Sequence, residues 1–196
     1  MLFRSLLKPL VLASSSKIRK EIISRYDVPY ICEDPLIDED KLKLNYDSND
    51  PIKLSYFLAE AKAKSLSTKY KDHIILGCDQ ICIFNGKIFE KPLTVTNANK
   101  NLKELSGNQH QLIGSYVFIK NNELITKHET TCTLTMKRLT DDEISNYIEL
   151  DSPLNSCASY MFEANGYKLF NEVIGSLEEI NGLPFKELKN IVNEHL

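Results

Sequence analysis

The chain has 196 residues and a formal net charge of −3, with 42% hydrophobic and 26% charged residues. That length buries a real core without disulfides or a structural metal, and the balance excludes a disordered chain and the global basic field that holds duplex nucleic acid. The five cysteines are odd in number and form no C-x-x-C pair, which argues against a disulfide framework or a zinc site and for a reduced, cytoplasmic setting. Residues 1–12 are mildly apolar but interrupted by Arg4, Lys8 and Pro9, too short for a membrane span and without a signal-peptide cleavage site.

The first elements are a strand over 9–13 and a helix carrying Ile18, Ile22, Ile23 and Tyr26, with oxygens of Ser14-Ser15-Ser16 as caps. Residues 28–32 read as extended and the acidic stretch 33–40 as a loop. Pro51 opens a second helix with Leu54, Phe57, Leu58 and Ala61 on its inner face. The most strand-like segment is 73–84, interrupted by Asp79-Gln80, and Asn85-Gly86 signals a type I′ hairpin into Lys87-Ile88-Phe89. A helix from about Thr94 ends at Ser106-Gly107-Asn108. Two strands, 111–120 and 124–137, meet at Asn121-Asn122. Thr140 and Glu143 form a capping box for a helix through Leu150. A strand over 167–174 and a last helix from Pro184, with Phe185, Leu188 and Val192 facing in, complete an alternating α/β pattern with a mixed sheet.

Four features carry candidate chemistry. The strand, triple serine and helix place Arg19 and Lys20 in a helix's first turn, where N–H groups and a guanidinium favour phosphate; taken alone, a capped helix with basic residues on its wet face is the simpler reading. Asp79 lies among Ile74, Ile75, Leu76 and Ile81, where a carboxylate is costly unless paired or metal-bound; it could ligate a divalent cation, act as a base toward water, or merely face solvent. Lys62 and Lys91 are candidate phosphate contacts, although most lysines are solvated surface charges. Asp38-Glu39-Asp40 offers oxygen ligands or a solvated loop. His73, His110, His128 and His195 show no ligand spacing and read as structural or exposed. Neither G-x-x-x-x-G-K-[ST] nor G-x-G-x-x-G is present, which argues against a P-loop or Rossmann nucleotide site.

In order along the chain, Leu12-Ala13-Ser14-Ser15-Ser16 with Arg19 and Glu21, Ile37-Asp38-Glu39, Leu58-Ala59 with Lys62-Ala63, Gly77-Cys78-Asp79, Lys91-Pro92, Leu105-Ser106-Gly107 and Gly182-Leu183-Pro184 resemble the motifs of the Maf family of nucleotide pyrophosphatases. Asp79-Gln80 and Glu163 resemble the branch similar to 7-methyl-GTP pyrophosphatase, where the thymidine/uridine triphosphate branch carries Asp-Thr and Gln. Lys17 replaces the family's Pro, Ile18 stands where the methyl-GTP branch often has Trp, and the Gly of an Ala-Gly pair is missing around Ser156-Cys157-Ala158. A Trp stacks on a cationic methylated base, whereas Ile18 offers only apolar contact.

The resemblance implies a single Maf-like domain over 1–196. Its fold would be a two-lobed Maf/ITPase-like α/β fold, with a twisted mixed sheet flanked by helices and a site in a central cleft. It implies hydrolysis of a nucleoside triphosphate to monophosphate and pyrophosphate, with 7-methyl-GTP or another modified nucleotide as substrate. The alternatives are a dTTP/UTP pyrophosphatase or a non-catalytic nucleotide-binding regulator of septum formation. Asp79 would be the proton acceptor; Ser14, Arg19, Lys62 and Lys91 would hold phosphate; Glu39 and Asp79 would hold Mg²⁺ or Mn²⁺; and Ile18, Gln80 and Glu163 would set specificity. The expected partner is a small-molecule nucleotide, not a nucleic acid polymer or a membrane, and a homodimer is the candidate assembly.

Overall fold

The computed structural model describes residues 8–48 and 50–195, the side chain of His195 excepted. Of the apolar stretch 1–12, residues 1–7 lie outside the described residues, as does the reading of the His195 side chain. The elements are β1 (Leu10–Ala13), α1 (Lys17–Ile23), β2 (Tyr30–Glu33), α2 (Glu39–Leu44), α3 (Pro51–Lys64), β3 (Ile75–Phe84), β4 (Lys87–Phe89), α4 (Val95–Leu105), β5 (Gln109–Lys120), β6 (Glu123–Met136), α5 (Asp141–Asp151), β7 (Phe170–Ile174), α6 (Leu177–Ile180) and α7 (Phe185–His195). They build a seven-stranded sheet in the order β2-β1-β3-β5-β6-β7, with β4 paired to β3. The sheet is mixed: β1 runs parallel to β2 and β3, whereas β3–β4 and β6–β7 are antiparallel.

The chain forms two compact units, and the division falls inside β3 between Asp79 and Gln80. The first unit takes Met1–Asp79, Gly114–Thr130 and Gly182–Leu196. Its strand β1 is buried on both faces, which is why it reads as an unbroken apolar run. Alternation divides the side chains. Leu10, Leu12, Ile74, Leu76 and Cys78 pack with Ile22 and Ile23 of α1 and with Phe185, Leu188 and Val192 of α7. Val11, Ala13 and Ile75 pack instead with Ala59 and Ala63 of α3.

The second unit takes Gln80–Ile113 and Thr131–Asn181. Its core gathers Cys82 and Phe89, one face of α4 (Ala98, Leu102, Leu105), one face of α5 (Ile144, Tyr147, Ile148), and Leu134, Met136, Tyr160 and Phe170. Burying each such side chain contributes roughly 1.5–3 kcal/mol. The turn into β4 has φ of 50° at Asn85 and 75° at Gly86, the left-handed pair of a type I′ hairpin. Thr140 and Glu143 make the expected capping box.

Three local expectations need correction. The acidic stretch is not all loop: Asp38 caps Lys41 N–H, and α2 starts at Glu39. The inner face of α3 is Ser55, Leu58, Ala59, Lys62 and Ala63, rather than one through Leu54, Phe57 and Ala61. That stripe keeps the i, i+3, i+4 spacing but includes two polar residues, so apolarity alone points to the wrong rotation. Finally, β7 begins at Phe170, preceded by a 3₁₀ turn over Gly166–Leu169, and the short α6 follows it with its own capping box from Ser176 and Glu179.

Candidate active site

Alternation along β3 puts Gly77 and Asp79 on the face that α3 covers. Asp79 is only 6% exposed there, a depth at which an isolated carboxylate is costly. Lys62 compensates that charge. Its Nζ donates to Asp79 Oδ1 at 2.8 Å and lies 3.1 Å from Glu39 Oε2. Lys62 is itself buried, so the usual reading of a lysine as a solvated charge fails here.

The approach of α3 depends on Gly77, where a Cβ would run into the carbonyl oxygen of Ala59, one helical turn before Lys62. Lys62 and Asp79 therefore meet because a helix packs directly on a strand at the one residue type that permits it.

The second carboxylate oxygen of Asp79 is buried and has no hydrogen-bond partner. A native protein rarely leaves such an acceptor unsatisfied without a reason, and here it is a free site for a water or a cation. Oδ2 and the half-exposed carboxylate of Glu39 are hard oxygen donors that fit a Mg²⁺-type cation, which typically takes one or two carboxylates plus water and phosphate. No cluster of three or more His, Cys, Asp or Glu fit to hold a metal occurs among the described residues, so an all-protein cage is not what the donor set offers.

Arg19 adds a second cationic side chain beside this group, its guanidinium donating to the Cys78 carbonyl at 3.1 Å. Ser16 is the N-cap of α1, and Ser14, buried at the end of β1, accepts from Ser16 N–H at 3.2 Å. Ile18 is half-buried and packs on the core beneath α1. Burial pushes the Cys78 thiol up to about 11 despite the nearby Arg19 and Lys62 charges, so it is no thiolate nucleophile. In the first unit the structure thus brings together Glu39, Lys62 and Asp79, with Arg19 on the neighbouring peptide.

The other candidates belong to the second unit. Gln80 is half-buried, and its Nε2 donates to the Glu179 carbonyl at the end of α6, 2.8 Å away. A carbonyl only accepts, so this contact fixes which end of the amide is the donor, with Oε1 as its acceptor end. Lys91 follows β4 and is exposed. Glu163 is exposed in a tight turn between Tyr160 and the 3₁₀ segment.

A family model described as Maf-like protein matches residues 9–195. The chain belongs to the Maf family. A nucleoside triphosphate pyrophosphatase of Legionella pneumophila (strain Lens) is 36% identical over 183 residues, covering 93% of this chain and 92% of its own. One from Ruegeria pomeroyi is 33% identical over 188 residues, 94% of each chain. A protein named 7-methyl-GTP pyrophosphatase, from Rhizobium meliloti, is 31% identical over 193 residues, 96% of this chain and 97% of its own. Among solved structures, the Staphylococcus aureus Ham1 protein aligns over 96% of this chain and 100% of its own, with 15% identity and a TM-score of 0.44. Ala158 and Ser159 have φ of 59° and 66°, the left-handed region that glycine enters without strain. No helix among the described residues is long and apolar enough to cross a membrane.

Proposed function

We propose that this chain hydrolyses the α–β phosphoanhydride of a nucleoside triphosphate, giving a nucleoside monophosphate and pyrophosphate. The observation that carries the reading is the buried Lys62 between Asp79 and Glu39, with Asp79 Oδ2 left unpartnered. The relatives named nucleoside triphosphate pyrophosphatase support it. Charge of both signs packed at one buried point suits a substrate that brings its own negative charge and a water that must lose a proton.

In this reading Asp79 Oδ2 accepts a proton from the attacking water. The water oxygen bonds to the α-phosphorus, the bridging P–O bond breaks, and its electron pair leaves with pyrophosphate. Lys62 holds the Asp79 carboxylate in place and, with Arg19, Ser14 and Lys91, binds phosphate oxygens. Glu39, with Asp79 or through the water that Asp79 orients, would hold a divalent cation, Mg²⁺ or Mn²⁺, which when bound supplies neutralisation of polyphosphate charge.

Base choice follows donor and acceptor patterns. Guanine offers two adjacent donors, N1–H and the 2-amino group, and Glu163 offers two acceptors. The Oε1 of Gln80, whose Nε2 is engaged by the Glu179 carbonyl, adds another acceptor. The proposed substrate is therefore a guanine-type triphosphate such as 7-methyl-GTP, in keeping with the name of the Rhizobium meliloti relative. The test is a panel of modified and ordinary triphosphates scored for pyrophosphate release by the native protein and by Asp79→Asn. The native protein should release pyrophosphate, with 7-methyl-GTP ahead of UTP and dTTP. Asp79→Asn, whose amide oxygen can still accept from Lys62, should fold with reduced stability and turn over at least ~10²-fold more slowly per folded molecule, the scale of a lost general base. Near-native turnover in that variant would remove Asp79 from the reaction.

A further inference from the structure

The turn that carries Glu163 is built in an unusual way. Its two ends are held by α5. Met161 N–H donates to the Tyr147 hydroxyl at 2.8 Å, and Asn165 N–H donates to Asp151 Oδ2 at 2.9 Å. Asp151 Oδ1 also accepts from the Asn165 side-chain amide at 2.7 Å, so both oxygens of this carboxylate hold one residue. Tyr147 and Asp151 stand four apart on α5 and share one helix face.

The turn also closes on itself, since Ala164 N–H and Gly166 N–H both donate to the Met161 carbonyl, at 3.2 and 2.9 Å. A Cβ at Gly166 would strike that same carbonyl. Only glycine permits this closure. Between the clamped ends, Glu163 stands exposed.

Asp151 is the last residue of α5, where a carboxylate opposes the helix dipole. It sits against that field and makes two hydrogen bonds to a surface turn. Burial raises the Tyr147 hydroxyl further above its usual range, so it stays a neutral phenol that can accept from Met161. Six residues are thus ordered to hold one exposed carboxylate still. Rigid mounting matters most for a group that must match two donors of a planar base at once.

We propose that Asp151 and Tyr147 are positioning residues for base recognition, holding turn 161–166 so that Glu163 meets the base edge in a fixed orientation. This rests on the assignment of Glu163 as the base reader, and the experiment separates the two. The readout is the ratio of kcat/KM for 7-methyl-GTP over that for UTP, with thermal melting recorded for each protein. Glu163→Gln tests the reader; Asp151→Ala and Tyr147→Phe test the mount; Asp151→Asn is the conservative variant.

The expected result is that Asp151→Ala lowers the ratio at least fivefold in folded protein. The loss should appear as a raised KM for 7-methyl-GTP more than as a lowered kcat. Asp151→Asn, which keeps one acceptor oxygen, should return the ratio to within twofold of native. If Asp151→Ala does not fold, Tyr147→Phe, which keeps the ring packed and removes one acceptor, should lower the ratio at least twofold. If Glu163→Gln shifts the ratio and neither α5 variant does, the mount is overturned while the reader stands. If Glu163→Gln leaves the ratio unchanged, both the reader and the mount fall, while the hydrolysis reaction itself stands.

Discussion

Gly77 lies so close to Ala59 that any side chain on the strand would collide with a helix carbonyl, and one turn further along the same helix Lys62 reaches Asp79. The contact sets both the packing of α3 and the charge arrangement of the site. Gly77→Ala should therefore do two things at once. Overpacking against backbone costs typically 1–3 kcal/mol, occasionally more, and a helix carbonyl has nowhere to go, so the cost should be about 3 kcal/mol. The α3 shift that relieves the clash also moves Lys62 away from Asp79, so activity should fall in the protein that remains folded. Thermal melting and turnover per folded molecule check this; native values of both would mean that α3 is free to move at no cost.

Lys62 and Asp79 should be strongly coupled in stability. Breaking a buried pair by removing one partner costs about 3–5 kcal/mol, because the other charge is left unpaired. Lys62→Met alone should lie in that range, while Lys62→Met combined with Asp79→Asn should cost less than Lys62→Met alone. Denaturant unfolding of the four proteins gives the cycle. Additive costs would mean that the 2.8 Å contact carries no coupling.

Much of this was legible in the sequence, and where it was not the reason is physical. Asn85-Gly86 and Thr140 with Glu143 were readable because turn and cap chemistry is local. The buried face of α3 was not, because its register is set by the contact with Gly77 and by the ionic partners of Lys62, neither of which leaves a periodic apolar trace. The start of α2 and the whole of α6 did carry signals, Asp38 as an N-cap and Ser176 with Glu179 as a capping box, of the same kind that located α5. Lys62 and Asp79 were identifiable as candidates through the order of the motifs. Their pairing with each other and with Glu39 was not, since it depends on how three separate elements pack.

His110 should make the protein acid-sensitive. Its ring is buried against Tyr160 and Phe170, Nε2 meets the Tyr160 hydroxyl at 2.9 Å, and burial pushes it down from 6.5 to about 4. The folded-state pKa is the lower one, so the unfolded chain takes up the proton first. His110 then costs nothing above about pH 6.5, and stability is lost as pH falls from there toward about 4, levelling off below. The total is on the order of 3 kcal/mol. Because carboxylates titrate nearby, the measurement is the difference between native and His110→Phe unfolding free energies across that window. A difference that does not change with pH would contradict the assignment.

The cations should separate binding from folding. Lys91 is exposed, so Lys91→Ala should leave melting unchanged, while Arg19→Ala loses its bond to Cys78 and should melt slightly lower. Each should reduce kcat/KM for triphosphates by roughly 10- to 100-fold, the range expected for a charge-assisted hydrogen bond of about 1.5–3 kcal/mol. Normal kinetics in the folded fraction of either variant would make that residue structural only.

The most direct test of the central claim is the fate of oxygen-18 from labelled water during turnover of a triphosphate by the native protein, read by mass spectrometry of the products. Attack on the α-phosphorus with Asp79 as proton acceptor predicts equal amounts of nucleoside monophosphate and pyrophosphate, with the label in the monophosphate and none in the pyrophosphate. Label in pyrophosphate, or release of orthophosphate with a nucleoside diphosphate, would contradict it.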